Sequence, residues 1–148
     1  MNFIFISPNF PKTYWNFCRC LKQNGVRVLG IGDAPYEQLE DNLKQNLQEY
    51  YNVSSLENYE EVYKACAFFA FRYGKIDWIE SNNEYWLMQD ARLRTDFNVT
   101  SGVRNEAISF IKYKSQMKAL YEKAGVRTAR WHLVSCLLYT SPSPRDTR

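Results

Sequence analysis

The stretch that decides the fold is residues 2–31, which read NFIFISPNFPKTYWNFCRCLKQNGVRVLGI. Its first part, residues 2–6, is a short apolar run rich in residues that favour β-structure, which is typical of a buried strand. Residues 14–24 place apolar side chains near helical spacing, and the glycine that follows them suits a helix C-terminal cap. Residues 26–31 form a second apolar run of the kind expected in a strand covered on both faces. The stretch therefore predicts a strand, a helix and a second strand.

The same alternation continues along the chain. The strongest helical pattern covers residues 59–73, with a start at the S-x-x-E box of residues 54–57 or at Asn58. Weaker patterns predict helices at residues 36–46 and 84–97 and strands at residues 49–53 and 76–79. Strands that alternate with helices in this way predict an α/β fold, a Rossmann-like parallel sheet of about four strands with helices on both faces.

The composition limits the classes of function. Hydrophobic residues make up 45% of the 148 residues and aromatic residues 16%, which is enough apolar surface for a folded core. The 19 basic and 16 acidic residues leave a formal charge of +3 and form no long block of one sign, so we expect neither nucleic acid nor a membrane as a partner. The N-terminus has no basic leader, and no run approaches the roughly 20 apolar residues of a membrane span. We therefore expect a cytoplasmic protein.

Several kinds of active site do not fit this sequence. The loop after the first strand reads SPNFP, which lacks the G-x-G-x-x-G of a dinucleotide site and the carboxylates of a receiver-like metal site. The one histidine, His132, lies in a predicted strand at residues 129–135 without an evident nucleophile beside it. We predict no metal site in this chain, because its cysteines are spaced unlike zinc ligands and are expected to be ordinary thiols: Cys18, Cys20, Cys66 and Cys136.

The loops at the carboxyl ends of the strands are the expected ligand site, because a parallel sheet presents them along one edge. These loops are residues 7–11, 32–35 and 81–83. The side chains there and just beyond that could contact a substrate are Ser7, Asn9, Asp33, Ser81, Asn82 and Glu84. Structural roles remain open for two of them, since Asp33 also suits a turn and Glu84 a helix N-terminus.

The end of the chain differs in character from the rest. Residues 136–148 read CLLYTSPSPRDTR, a serine- and proline-rich composition typical of a disordered tail. Residues 136–146, CLLYTSPSPRD, also resemble the one-frame translation of the transposon end and adaptor used to prepare sequencing libraries. We therefore expect the natural part of this chain to end near Ser135, in the middle of a longer protein, and residues 136–148 to carry no information on fold or function.

Two later segments resemble a known family. They are EYWLMQDARLRTDFNVTSG, which begins at Glu84, and IKYKSQMKALYEKAGVRTAR, which begins at Ile111. Together they resemble the junction in ATP-grasp ligases between the N-terminal pre-ATP-grasp domain and the ATP-grasp fold. In those enzymes L-R-x-x-F-x-[IV]-x-G ends the first domain, and a lysine-rich helix with A-G-[IV]-x-x-A-R opens the second. The matching residues are Leu93, Arg94, Phe97, Val99 and Gly102 in the first segment, and Lys114, Lys118, Ala124, Gly125, Val126, Ala129 and Arg130 in the second.

The resemblance implies a domain organisation and an activity. Residues 1–103 would be the pre-ATP-grasp domain, and residues 104–135 would open a truncated ATP-grasp domain with a helix and a strand. The similarity extends to carbamoyl-phosphate synthase large-chain and biotin carboxylase-like proteins. Such enzymes use ATP and Mg²⁺ to phosphorylate a small carboxylate, and an amine or a thiol then attacks the acyl phosphate. Most of that machinery lies beyond Ser135 in family members, so we expect the fragment itself to be inactive.

The resemblance also implies which residues meet the nucleotide. A basic residue at the position of Lys114 reaches the ATP phosphates, and Lys118 and Lys112 are nearby substitutes. The oligomeric state is left open. As an alternative, these lysines form the solvated face of an ordinary amphipathic helix. The chain would then be a self-contained α/β ligand-binding or regulatory module without catalysis.

Overall fold

The computed structural model describes residues 1–133 and confirms the predicted α/β sheet. Its four strands are parallel and lie in the order β3-β2-β1-β4. Each starts or ends within two residues of its predicted limits: β1 is Asn2–Ile6, β2 is Arg27–Gly32, β3 is Glu49–Asn52 and β4 is Trp78–Glu80. The tail at residues 136–148 and the last two residues of the strand predicted at 129–135 lie outside the described residues.

The central strand β1 is covered on both faces. Phe3 and Phe5 join one apolar cluster, and Ile4 and Ile6 join another, because successive side chains of a strand point to opposite sides. Helices α1, Trp15–Gln23, and α2, Asp41–Asn46, close the first cluster, whereas α3, Tyr59–Tyr73, and α4, Leu87–Asp96, close the second. The sheet is therefore doubly wound, with its strand order reversing between β1 and β4.

The helix predicted at residues 36–46 is interrupted. A 3₁₀ turn, Tyr36–Gln38, is followed by extended Leu39 and Glu40, and only then by α2. Leu39 and Leu43 nevertheless both lie buried against the sheet. Their four-residue spacing is that of a helix face, but extended Leu39 reaches the same cluster without helical backbone. The helix predicted at residues 84–97 likewise begins with a 3₁₀ turn, Glu84–Trp86, before α4.

Two short helices follow the sheet where one lysine-bearing helix was expected. Helix α5 is Asn105–Lys112 and α6 is Lys114–Lys123, and extended Tyr113 separates them. Ile108 of α5 is 1% exposed, and α5 packs on α4. The strand predicted at residues 129–135 is absent over 129–133, since within residues 1–133 no neighbouring strand takes up its backbone hydrogen bonds.

Two of the cysteines that we expected to be ordinary thiols lie in the core as free thiols. Cys18 and Cys66 are buried, and burial raises the pKa of the Cys18 thiol to about 12, so it stays protonated at neutral pH. Cys20 is exposed. Among residues 1–133, no helix combines the length and apolar character that crossing a bilayer requires.

Candidate functional site

The loops at the carboxyl edge of the sheet are tied together in pairs. The Tyr14 hydroxyl, just after the β1 loop, donates to the carbonyl oxygen of Asn82 in the β4 loop at 2.6 Å. Asn9 approaches Gly32 so closely that a Cβ on Gly32 would lie 3.1 Å from Asn9 Oδ1. The same Cβ would lie 2.5 Å from the Tyr50 hydroxyl oxygen, so the chain needs glycine at this position. The sheet thus gathers the three predicted loops, as its topology requires.

The six predicted substrate residues differ in how free their side chains are. Ser81 is buried and its hydroxyl donates to Asp90 Oδ2 at 2.6 Å, so it anchors the β4 loop. Ser7 is also buried and adopts a positive φ of 55°, which turns the chain directly out of β1. The side chains of Asp33, Asn82 and Glu84 are exposed. Their roles in substrate binding stay predictions.

Asn9, the sixth candidate, lines a cavity of about 300 Å³ between the β1 loop and α2. The apolar part of its wall comes from Pro8, Leu39 and Leu43, with exposed Phe10 at the rim. Asn9 Oδ1 is buried and has no hydrogen-bond partner within residues 1–133. We name this space the loop cavity. Of the residues that line it, the sequence predicted only Asn9 as a site residue, because the side chains of α2 reach the cavity through tertiary packing.

Charged groups flank the loop cavity on two sides. Lys12 Nζ and Glu40 Oε1 lie 3.6 Å apart, and their side chains are 82% and 45% exposed. Lys12 starts a 3₁₀ turn, Lys12–Tyr14, after the β1 loop, whereas Glu40 directly precedes α2. The cavity therefore combines an apolar wall with one cation and one anion.

A second cavity of about 260 Å³ lies beside β4 on the face that carries α1. Aromatic rings dominate its wall, among them those of Phe17 and Trp78. Its one carboxylate belongs to Glu80, whose Oε2 accepts a hydrogen bond from Arg94 at 2.8 Å. Buried Arg94 holds that carboxylate, whereas Lys12 and Glu40 of the loop cavity form an exposed and more easily separated pair, so the loop cavity is the better candidate for a polar ligand.

Asp90 on α4 is a buried carboxylate that sequence reasoning missed. Its Oδ2 accepts hydrogen bonds from the hydroxyl and the backbone N–H of Ser81, at 2.6 and 3.1 Å, whereas Oδ1 has no partner within residues 1–133. Burial, with the nearby Glu80 carboxylate, raises the pKa of Asp90, while the Ser81 hydrogen bonds and Arg94 oppose that rise. A signal was present, because Asp90 and Arg94 are four residues apart and share the helix face of buried Leu93.

Arg94 is buried and joins β4 to the segment after α4. Its Nε donates to the Ile79 carbonyl, its Nη1 to the Val103 carbonyl and its Nη2 to Glu80 Oε2, each at 2.8 Å. Gly102 packs against the guanidinium, where a Cβ would lie 2.9 Å from Nε. Gly102 stands one residue later than the L-R-x-x-F-x-[IV]-x-G spacing requires, yet it reaches the arginine of that motif.

The other residues of that motif are structural too. Leu93 and Val99 are buried in the core, and Phe97 packs against it. None of these three side chains carries a reactive group. The motif therefore closes the α/β unit.

The three predicted nucleotide-binding lysines lie around the junction of α5 and α6. Lys112 ends α5, and its ammonium donates to the carbonyl oxygen of Glu84. Lys114 is the exposed first residue of α6, and Lys118 lies one turn later, half-buried. Neither Lys114 nor Lys118 has an ion-pair partner in the part of the chain that the structure describes. The structure therefore brings Lys112 to Glu84, and the contact is to the backbone carbonyl of Glu84 rather than to its carboxylate.

Metal-binding side chains do not cluster in the described region. Over residues 1–133, no group of three histidine, cysteine, aspartate or glutamate residues has the geometry to hold an ion. His132 is exposed, and Trp131 beside it donates from Nε1 to Glu122 Oε1 at 2.8 Å.

Comparison with known proteins finds a likeness among solved structures. No protein-family model matches the chain, and neither does any curated protein. The crystal structure of an L-amino acid ligase from Bacillus licheniformis is similar to this chain, with a TM-score of 0.70 and 13% sequence identity. The match covers 96% of this chain and 34% of the ligase chain, so this chain spans about a third of the ligase's length. The likeness shows that the two share a fold.

Proposed function

We propose that the chain is part of an ATP-dependent ligase of the ATP-grasp superfamily, comprising a substrate-side α/β domain and the start of the nucleotide-binding half. The observation that carries the proposal is the fold similarity to an L-amino acid ligase over 96% of the chain. The two motif segments that resemble the ATP-grasp junction give it independent support from the sequence.

In the whole enzyme, ATP with Mg²⁺ would phosphorylate a small carboxylate, and an amine or a thiol would attack the acyl phosphate. The chain's own contribution to the nucleotide would come from α6. Lys114 places an ammonium at the first residue of this helix, where backbone N–H groups lack intrahelical acceptors and the helix dipole is positive. Both features favour a phosphate group, so the residues fit a triphosphate. No magnesium ligand is proposed within residues 1–133.

Kinetics of the full-length parent protein would test the proposal. We expect Lys114→Ala to raise the KM for ATP about tenfold, a loss of about 1.4 kcal/mol of binding, because one ammonium–phosphate contact is removed. Lys123→Ala is the matched control, since Lys123 ends the same helix and is exposed. ADP release with amino acids as co-substrates measures both variants, and equal effects would contradict the nucleotide assignment.

The gene itself offers a second test. If the reading frame continues past Ser135 with a lysine-bearing strand, a glycine-rich loop and a carboxylate metal motif, the ligase proposal gains support. A stop codon near Ser135 would instead favour the self-contained binding or regulatory module. Sequencing the parent gene across this position decides between them.

A further inference from the structure

The loop cavity has features that fit one class of ligand. We propose that the loop cavity binds a free α-amino acid with an apolar side chain, with its carboxylate on Lys12 and its ammonium on Glu40. The inference deepens the proposed function and rests on it for its biological meaning, since it names one substrate class of the ligase.

The apolar wall accounts for the side chain of the ligand. Leu39 and Leu43 are 4% and 3% exposed and form one side with Pro8, while Phe10 is 66% exposed at the rim. A side chain of leucine size placed there would remove its own methyl groups and part of the Phe10 ring from water. At about 300 Å³ the cavity is at the small end of ligand pockets, which suits a single amino acid.

The charges account for the two ends of a zwitterion. Lys12 and Glu40 form an ion pair at 3.6 Å with both side chains substantially exposed, and such pairs contribute only about 0–1 kcal/mol. Separating them therefore costs little. Each partner can then meet the opposite charge of the ligand, which replaces one weak surface pair with two contacts beside a partly apolar wall.

Asn9 belongs to the wall of the cavity but not to its polar contacts. Its Oδ1 is buried and lies against Gly32, where a Cβ would be 3.1 Å away, so a ligand in the cavity does not reach this atom. The ammonium of the ligand therefore meets the Glu40 carboxylate alone. Neither a phosphorylated ligand nor a simple cation fits as well, because the cavity carries one cation and one anion.

The 148-residue chain can be titrated directly with L-leucine and followed by amide NMR shifts. We expect saturable binding, with shifts concentrated at Asn9, Lys12 and Glu40. L-Leucinamide lacks the carboxylate and N-acetyl-L-leucine lacks the ammonium. Each should bind at least about fivefold more weakly, a loss of about 1 kcal/mol. Absence of saturable binding, or equal affinity for the capped analogues, would overturn the proposal.

Variants locate the binding site. Lys12→Met and Glu40→Gln should each weaken L-leucine about fivefold. Lys64→Met, an exposed position on α3 across the sheet, should leave the affinity unchanged. Exchanging the charges with Lys12→Glu and Glu40→Lys together should recover part of the affinity, and circular dichroism checks that each variant is folded. Loss of affinity in the control but not at Lys12 would place the ligand elsewhere. ATP-dependent turnover is not read out, so failure of the ligase proposal would leave these results standing.

Discussion

Asp90 and Arg94 place two buried charged groups one turn apart on α4, and they are satisfied to different degrees. The Arg94 guanidinium donates hydrogen bonds to two carbonyl oxygens and to the Glu80 carboxylate, all at 2.8 Å. Asp90 has hydrogen bonds on one oxygen only, counting partners within residues 1–133. A buried carboxylate with an orphan oxygen is strongly penalised when charged, so its protonation state should depend on the fold.

Asp90 therefore gives the chain a pH-dependent stability. Burial raises its pKa in the folded state to about 7, with Glu80 adding to the rise and Arg94 opposing it. The unfolded carboxyl loses its proton near about pH 4, so between about pH 4 and 7 the folded state holds more protons. Stability contributed by the protonated carboxyl is complete below that window and is lost as the pH rises through it.

Asp90→Asn should remove this dependence. We expect the free energy of unfolding of the unsubstituted chain to fall by at least about 1 kcal/mol from about pH 4.5 to about pH 7.5, and that of the variant to fall clearly less. Urea unfolding at several pH values measures both slopes. Asp33→Asn, at an exposed position in the β2 loop, should keep the original slope. A variant slope equal to that of the control would mean that Asp90 ionises normally.

At the scale of elements, the segment after α4 is held by contacts that the spacing of the L-R-x-x-F-x-[IV]-x-G motif describes only partly. Gly102 has a φ of 88°, and its Cα faces the Arg94 guanidinium. Gly74, which caps α3, has a φ of 83°, but a Cβ there would meet nothing within 4 Å. The two glycines thus share a positive φ and differ in their surroundings.

Alanine at each glycine separates those two effects. Gly74→Ala should lower the free energy of unfolding by about 1–3 kcal/mol, since a φ of 83° and a ψ of −157° lie in a region that essentially only glycine adopts. Gly102→Ala should lower it by about 1–3 kcal/mol more, because its Cβ also displaces an arginine that three hydrogen bonds hold in place. Chemical denaturation measures the difference. Equal losses would show that Arg94 moves aside freely.

How far the sequence predicts these elements depends on where their determinants lie. The strands and α3 were predictable because each is a local run of apolar or periodic residues, and their ends carry a proline, a turn or a glycine. The interruption before α2 was not, since Leu39 reaches the core in an extended conformation that mimics the spacing of a helix. The loop cavity and the Arg94–Glu80 pair combine residues far apart in sequence, which only the packing of α2 and α4 brings together.

At the scale of the whole molecule, contacts cross the predicted domain boundary between residues 103 and 104. Helix α5 lies beyond it, yet Ile108 is 1% exposed and Lys112 donates to the Glu84 carbonyl. Helix α6 has no buried residue. The α/β unit therefore gains apolar burial from α5 and much less from α6.

Two shortened chains test which helices belong to the folding unit. Residues 1–113 keep α5, and we expect their free energy of unfolding to lie within about 1 kcal/mol of the parent chain, since the side chains at residues 114–133 are all exposed or half-buried. Residues 1–104 keep the Val103 carbonyl that accepts from Arg94 but lose Ile108. This loss should lower the free energy of unfolding by about a further 2–3 kcal/mol. Urea unfolding of both chains gives the comparison, with Ile108→Ala and the half-exposed Ile111→Ala in the parent chain as matched substitutions. If residues 1–104 are as stable as residues 1–113, the boundary lies where the sequence places it; the expected loss would move it beyond α5, into the Tyr113 break before the lysines of α6.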